Sequence, residues 1–359
     1  MRLKNLCFAA SLLFACHASA QSSVTLTGMI DGGVSYVSNA GGSHAVKFDD
    51  GIAVPNLLRF LGKEDLGGGL HAVFDLTNQF QLGSGSLMPG GSLFTRTAFV
   101  GLDDDRLGRL TLGNQYDFLI DSLFFGRNDG AMYAQGIYDF RNGPFAKLAL
   151  PNNPTGAFDW DGMAGSRPIK NSVKYASPGF GGFSAGAMYG FGGVAGSFGS
   201  DSAMSFGLNY VHGAFGANAA YTQTKTSVAG VQDSVRNWGL GTHYSFGPVT
   251  ATALYTAVRN ELNGAAVWQA ELGGSWLMAP EWALSGTYMY MKGNQVVDNN
   301  HAHQFSTMLT YFLSKRTSVY VAGIYQRTNQ GANAQINDVM VASSSPSQFI
   351  GRVGLQTRF

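Results

Sequence analysis

Hydrophobic and polar residues alternate with period two along most of this chain, in segments of about ten residues. In the clearest of them Leu70, Ala72, Phe74 and Leu76 alternate with His71, Val73, Asp75 and Thr77. Successive side chains of a strand face opposite sides, so one face suits lipid and the other water. The last segment repeats the arrangement: Val353, Leu355, Thr357 and the terminal Phe359 share one parity, and Arg352, Gln356 and Arg358 the other. Sixteen such segments are read, at 23–36, 55–64, 69–80, 93–103, 106–115, 169–177, 182–190, 202–212, 215–226, 234–246, 248–259, 266–278, 281–292, 303–313, 316–328 and 349–359. A half-polar strand with an open edge cannot stand in lipid. The pattern therefore predicts an all-β fold, a closed antiparallel transmembrane β-barrel of 16 strands.

The joins alternate in length. Asp65 to Gly68, Asp103 to Arg106, Gly213-Ala214, Gly247-Pro248, Ala279-Pro280 and Ser314-Lys315 are turn-sized, as expected of periplasmic ends. Ser38 to Val54, Phe191 to Asp201, Gly293 to Ala302 and Asn329 to Gln348 are longer and polar, as expected of extracellular loops. The longest join, Tyr116 to Arg167, follows the fifth segment. Its aromatics (Phe118, Phe124, Phe125, Tyr133, Tyr138, Phe140) stand among Asp117, Asp121, Asp129 and Asp139, a composition that can pack inside a pore rather than float above it and so allows an inward-folded loop.

A lipid-facing Arg or Lys near the bilayer midplane costs about 2–4 kcal/mol, so strand charges should point inward. That places Arg59, Arg96, Arg109 and Lys174 on the lumen, together with His71 and Asp75. Trp238, Trp268, Trp276 and Trp282, near segment ends, fit interfacial girdles against outer-membrane lipid.

Composition agrees: 49 Gly, 25 Phe and 15 Tyr with only 13% charged residues describe a glycine- and aromatic-rich β protein. Arg2 and Lys4 precede an apolar run, Leu6 to Ala15, and Ala18-Ser19-Ala20 has the form of a secretory cleavage site. Residues 1–20 read as a signal peptide and 21–359 as the barrel domain. Both cysteines, Cys7 and Cys16, lie in that leader, so disulfides play no part in the mature chain. The formal charge of +1 becomes −1 when Arg2 and Lys4 are removed, and nothing suggests nucleic acid.

Catalytic chemistry finds little support. Gly182-Phe183-Ser184-Ala185-Gly186 matches G-x-S-x-G, yet it opens an alternating strand rather than the strand-to-helix turn that motif requires. His301 and His303 could share a face toward a metal, but no third ligand accompanies them. No catalytic residue, cofactor or metal site is assigned.

Ser23 to Gly28 with Asp31, Gly62 to Leu70 (GKEDLGGGL), Phe94 to Leu102 (FTRTAFVGL), Leu112 to Asp117 (LGNQYD) and Asn171 to Tyr175 (NSVKY), with the terminal phenylalanine, resemble the general porins of β-proteobacteria in order and spacing. The resemblance implies passive diffusion of ions and small hydrophilic solutes across the Gram-negative outer membrane, a homotrimer, and a loop that narrows the pore. Opposed charges would set a transverse field across such a pore, and the constriction is read as Asp117 and Asp121 of the loop facing Arg59, which stands where the family has glycine, Arg96 and Arg167 on the wall, with Phe359 as the terminal signal for the outer-membrane assembly machinery. Arg96 falls at the family's strand-four arginine, and Asp117 and Asp121 match the Tyr-Asp-x-x-x-Asp loop start. Leu57, Leu61, Thr77 and Asn114 depart from the family's charged positions and thin its basic ladder, which leaves ion preference open. Two rival readings are a substrate-specific channel and a barrel that anchors an enzyme or adhesin.

Overall fold

The computed structural model describes residues 22–88 and 92–359; the signal-peptide reading of residues 1–20 lies outside them. Eighteen antiparallel segments form one sheet: β1 (Ser23–Ala40), β2 (Ser43–Asp50), β3 (Leu57–Gly67), β4 (Leu70–Phe80), β5 (Leu87–Met88), β6 (Thr97–Asp104), β7 (Gly108–Gln115), β8 (Ile169–Ala176), β9 (Phe183–Gly190), β10 (Ala203–His212), β11 (Phe215–Val228), β12 (Val231–Phe246), β13 (Val249–Asn260), β14 (Ala266–Ala279), β15 (Trp282–Gly293), β16 (His301–Phe312), β17 (Thr317–Thr328) and β18 (Ser347–Arg358). β3 pairs with the first half of β1 and β2 with the second, so β2 and β3 are one interrupted stave. β5 and β6 likewise share the edge of β4. The barrel thus has sixteen staves, and pairing of Met29–Val37 with Ile350–Arg358 closes it.

Alternation sets the two faces as expected. Along β18, Val353 and Leu355 are 59% and 47% exposed on the outside, whereas Arg352 is 2% exposed on the inside. The turns at Gly213-Ala214 and Gly247-Pro248 have the first residue at φ +58°, as two-residue hairpins of the primed type require, and glycine reaches that φ without strain.

Two expectations about the joins need correction. Ser38 to Val54 is not an open loop: β1 continues to Ala40, turns at Gly41-Gly42 and returns as β2, because the Gly pair supplies the positive φ of a hairpin. Asn329 to Gln348 does not stay outside either. Ile336 and Val339 are buried with Val37, Ile52, Tyr138, Ile324 and Ile350, which draws this join into the barrel mouth.

The break between β2 and β3 is organised by Asp31. Its carboxylate accepts the N–H groups of Ile52 and Ala53 at 2.9 and 3.2 Å, the Tyr320 hydroxyl at 2.6 Å and Arg352 Nη2 at 3.0 Å. Arg352, fully buried, also reaches Asp49 and Ser35. The carboxylate therefore satisfies backbone donors that the interrupted ladder leaves over, and residues 51–55 border the lumen.

Candidate pore constriction

The join from 116 to 168 lies inside the barrel. It carries a π-helical turn at Leu119–Phe124 and short 3-10 turns at Gly130–Met132, Gly136–Asp139 and Ala146–Leu148. Inward positions of successive strands bind it. Ser205 accepts the Phe118 N–H at 2.9 Å, Thr222 donates to Asp117 at 2.6 Å, Asn237 donates to the Trp160 carbonyl at 3.0 Å and Thr256 to Asp161 at 2.7 Å. Glu271 accepts the Gly130 N–H at 2.7 Å, and Thr287, Gln304 and Ser306 all donate to Asp139. Between these anchors the packing is apolar: Phe145, Leu148 and Trp160 lie against Val258, Val267, Met289 and Met291, and Phe118 and Leu123 against Met188 and Leu254. The lumen wall is thus not uniformly polar, since these inward Val and Met positions are covered by the loop and never meet water.

A buried charge cluster fixes the loop's middle. Arg141 lies 2.9 Å from Asp129, 2.9 Å from Asp161 and 3.5 Å from Glu271, all fully or almost fully buried. Burial works against the guanidinium's charge, but the three acids more than offset it and hold its pKa above the ordinary value. Burial pushes the carboxyls of Asp139 and Asp161 up to about 6 against their hydroxyl donors. The loop also rests on the β2–β3 break, where Ile137 N–H donates to the Ile52 carbonyl at 2.8 Å. Gly136 has φ +54° there, and a Cβ would fall 2.1 Å from that carbonyl oxygen.

The loop occupies the β9–β17 side and leaves an opening of about 910 Å³ against β3, β4, β6, β7 and β8. Arg59, Arg96, Asp121 and Lys174 border it. Arg59 pairs with Asp75 at 2.8 Å and donates to Thr77 at 3.1 Å, while Asp75 also accepts Thr97 at 2.7 Å. Lys174 Nζ meets Asp121 as an ion pair, donates to the Tyr116 carbonyl at 2.7 Å and sits 4.9 Å from the Phe118 ring. Arg96 donates to Gln79 at 2.6 Å and to the Ala164 carbonyl at 2.9 Å, and also to the Gly165 carbonyl, tying the loop's end to the wall.

Two of the five expected constriction residues are placed elsewhere. Asp117 is turned from the opening into the β11 wall, where burial pushes its carboxyl up while Thr222 and the Ile120 N–H bond it. Arg167 donates to the Asp159 and Trp160 carbonyls at 2.7 and 3.2 Å, bracing the loop against itself. Toward the periplasmic end, Arg109 pairs with Asp103 at 2.6 Å and His71 lies 3.8 Å from Asp65. Phe359 exchanges backbone hydrogen bonds of 3.1 Å with Gly28, so the last residue completes the seam. The rings of His301 and His303 are 6.0 Å apart, and His303 bonds the Tyr288 hydroxyl at 2.8 Å. Sequence reasoning missed Arg141 and residues 51–55 as builders of the opening. The arginine's signal was its position two residues after Asp139 in a long aromatic join rich in aspartates.

This architecture has close parallels. The Gram-negative porin family model matches residues 7–332. An outer membrane porin protein of Bordetella pertussis is 28% identical, covering 90% of this chain and 94% of its own. Outer membrane porin protein 32 of Delftia acidovorans is 30% identical, covering 84% and 83%. The solved anion-selective porin from Comamonas acidovorans superposes with a TM-score of 0.79 at 25% identity, over 94% of this chain and all of that one. Sequence, closed sixteen-stave barrel and open lumen agree: the chain belongs to the Gram-negative porin family and forms an outer-membrane channel for passive diffusion.

Proposed function

We propose that solutes pass between the infolded loop and the wall of β3 to β8, and that the charges there make the channel weakly anion-selective. Arg96 carries this reading. Its guanidinium donates to neutral oxygens, those of the Gln79 side chain and the Ala164 and Gly165 carbonyls, whereas Arg59 and Lys174 each face a carboxylate. At the level of the constriction the Arg59–Asp75 and Lys174–Asp121 pairs largely cancel, so Arg96 leaves a positive excess there, whereas Asp103, Asp104 and Asp105 outnumber Arg109 and Arg358 at the far end of the opening. In a narrow passage that field is poorly screened and acts on every ion that enters. Asp117 and Arg167 serve by holding the loop. The similar structure from Comamonas acidovorans is that of an anion-selective porin, which is consistent with this sign.

The outer surface supports a homotrimer. All four strand tryptophans lie on β12, β14 and β15, while the outward residues of β1, β3, β4 and β6 include Leu26, Leu58, Phe60, Phe74 and Val100 and no tryptophan. Interfacial tryptophans mark a lipid-exposed side, which leaves the tryptophan-free side for subunit contact. The exposed Phe359 ring at the end of an amphipathic strand is suited to recognition by the outer-membrane assembly machinery before the seam closes.

Flux into liposomes tests the selectivity. Anionic solutes should equilibrate a few-fold faster than cationic ones of equal size, Arg96→Lys should keep the bias and Arg96→Gln should lose it. Equal rates in the wild type would overturn the reading.

A further inference from the structure

On the outer face, Arg236 of β12 and Arg259 of β13 are direct cross-strand partners, 49% and 54% exposed. Like charges placed opposite one another destabilise a sheet. Among the described residues, Glu261 is the carboxylate within ion-pair reach of both, at 3.5 and 3.4 Å, so the trio keeps one positive charge. Lys292 adds another, its Nζ donating to the Asn299 carbonyl at 2.5 Å.

One row deeper, the register aligns Trp238, Ala257 and Trp268, with Lys292 beside Trp268. The methyl of Ala257 leaves a notch between the two indoles. Tyr255, another row down, forms its floor, with ring centroids 5.0 Å from Trp238 and 5.8 Å from Trp268. The groove holds about 620 Å³ and has the cations at its extracellular lip, since the β11–β12 and β13–β14 hairpins above it belong to the long-loop end.

We propose that this groove binds a phosphorylated, acylated glycolipid of the outer leaflet, with its phosphate on Arg236 and Arg259 and its acyl or sugar portion in the notch over Ala257. Guanidinium groups match phosphate geometry through paired donors. The aromatic row lies at headgroup height, where an amphiphile brings its phosphate and its chains together. Inorganic phosphate would meet the same arginines but gain nothing from the notch.

Delipidated, refolded full-length protein in neutral detergent is titrated with lipid A, dephosphorylated lipid A and inorganic phosphate, and binding is read by native mass spectrometry. Wild type should hold lipid A about tenfold more tightly than the Arg236→Gln/Arg259→Gln variant or than the dephosphorylated ligand. Ala257→Leu, which fills the notch and keeps every charge, should weaken lipid A by a similar factor. Unchanged single-channel conductance would certify that each variant folds, because these residues lie outside the lumen. Equal lipid A binding by wild type and the double variant overturns the proposal. So does displacement of lipid A by inorganic phosphate with no loss in Ala257→Leu, which would make this an anion site alone. Loss of binding that accompanies dissociation of the oligomer would assign the surface to a subunit contact and equally overturn it.

Discussion

Lys174 on the barrel wall and Asp121 on the infolded loop form an ion pair at the opening, while Arg141 deeper in the loop sits among Asp129, Asp161 and Glu271 without access to water. The two contacts do the same mechanical task at very different cost. Asp121 is partly exposed, so Asp121→Asn should loosen the loop by no more than about 0.5–1 kcal/mol. Arg141→Gln strands buried acids and should cost about 3–5 kcal/mol. Protease sensitivity of the loop in the assembled barrel measures both; equal effects would mean that the cluster does not hold the loop.

Gly136 against the Ile52 carbonyl gives a steric test. Gly136→Val cannot keep both its φ and its distance, so the loop should leave the β2–β3 break. Larger and noisier single-channel currents are expected, with the barrel intact on an unheated gel. A current trace identical to wild type would show that the loop does not rest there.

The acids of the loop give a pH dependence of definite sign. Asp139 and Asp161 have folded pKa values near 6, above the ordinary 3.8. Between these values the folded loop binds more protons than the released one, so their contribution to seating is full below about pH 4 and is lost as pH rises toward 6. Loop protease resistance should therefore fall from pH 4 to pH 6.5, and Asp139→Asn should flatten part of that slope. Resistance that rises over this window would contradict the assignment.

Much of the barrel was legible because lipid outside and water inside impose period two on every stave, as Val353 and Arg352 illustrate. The loop was legible from its length and aromatics. Its partners were not: Asp117 and Thr222, or Arg141 and Glu271, lie far apart in sequence, and nothing local marks which of several aspartates turns to the wall and which to the opening. The collinear β2 and β3 were hidden for a related reason. The break at 51–56 leans on Asp31 and Arg352 from other staves, and its own Asn56 accepts the Asp31 N–H and donates to Asp50.

Because Cys7 and Cys16 are the two cysteines of the sequence and neither lies among the described residues, single cysteines placed in the barrel can report its faces. A cysteine at His71 should react with a charged, membrane-impermeant maleimide in the open channel. Cysteines at Phe74 and Val353 should react only with an apolar reagent delivered through the bilayer. The reverse pattern would shift the register of β4 by one residue.

The most direct test is planar-bilayer recording of the purified protein in a salt gradient, comparing wild type with Arg59→Gln and Asp121→Asn. The account predicts stepwise conductance with a mildly anionic reversal potential. Arg59→Gln, which leaves Asp75 unpaired, should move that potential toward cations, and Asp121→Asn should move it toward anions. An open channel whose reversal potential ignores both substitutions would contradict a constriction between β3 to β8 and the infolded loop.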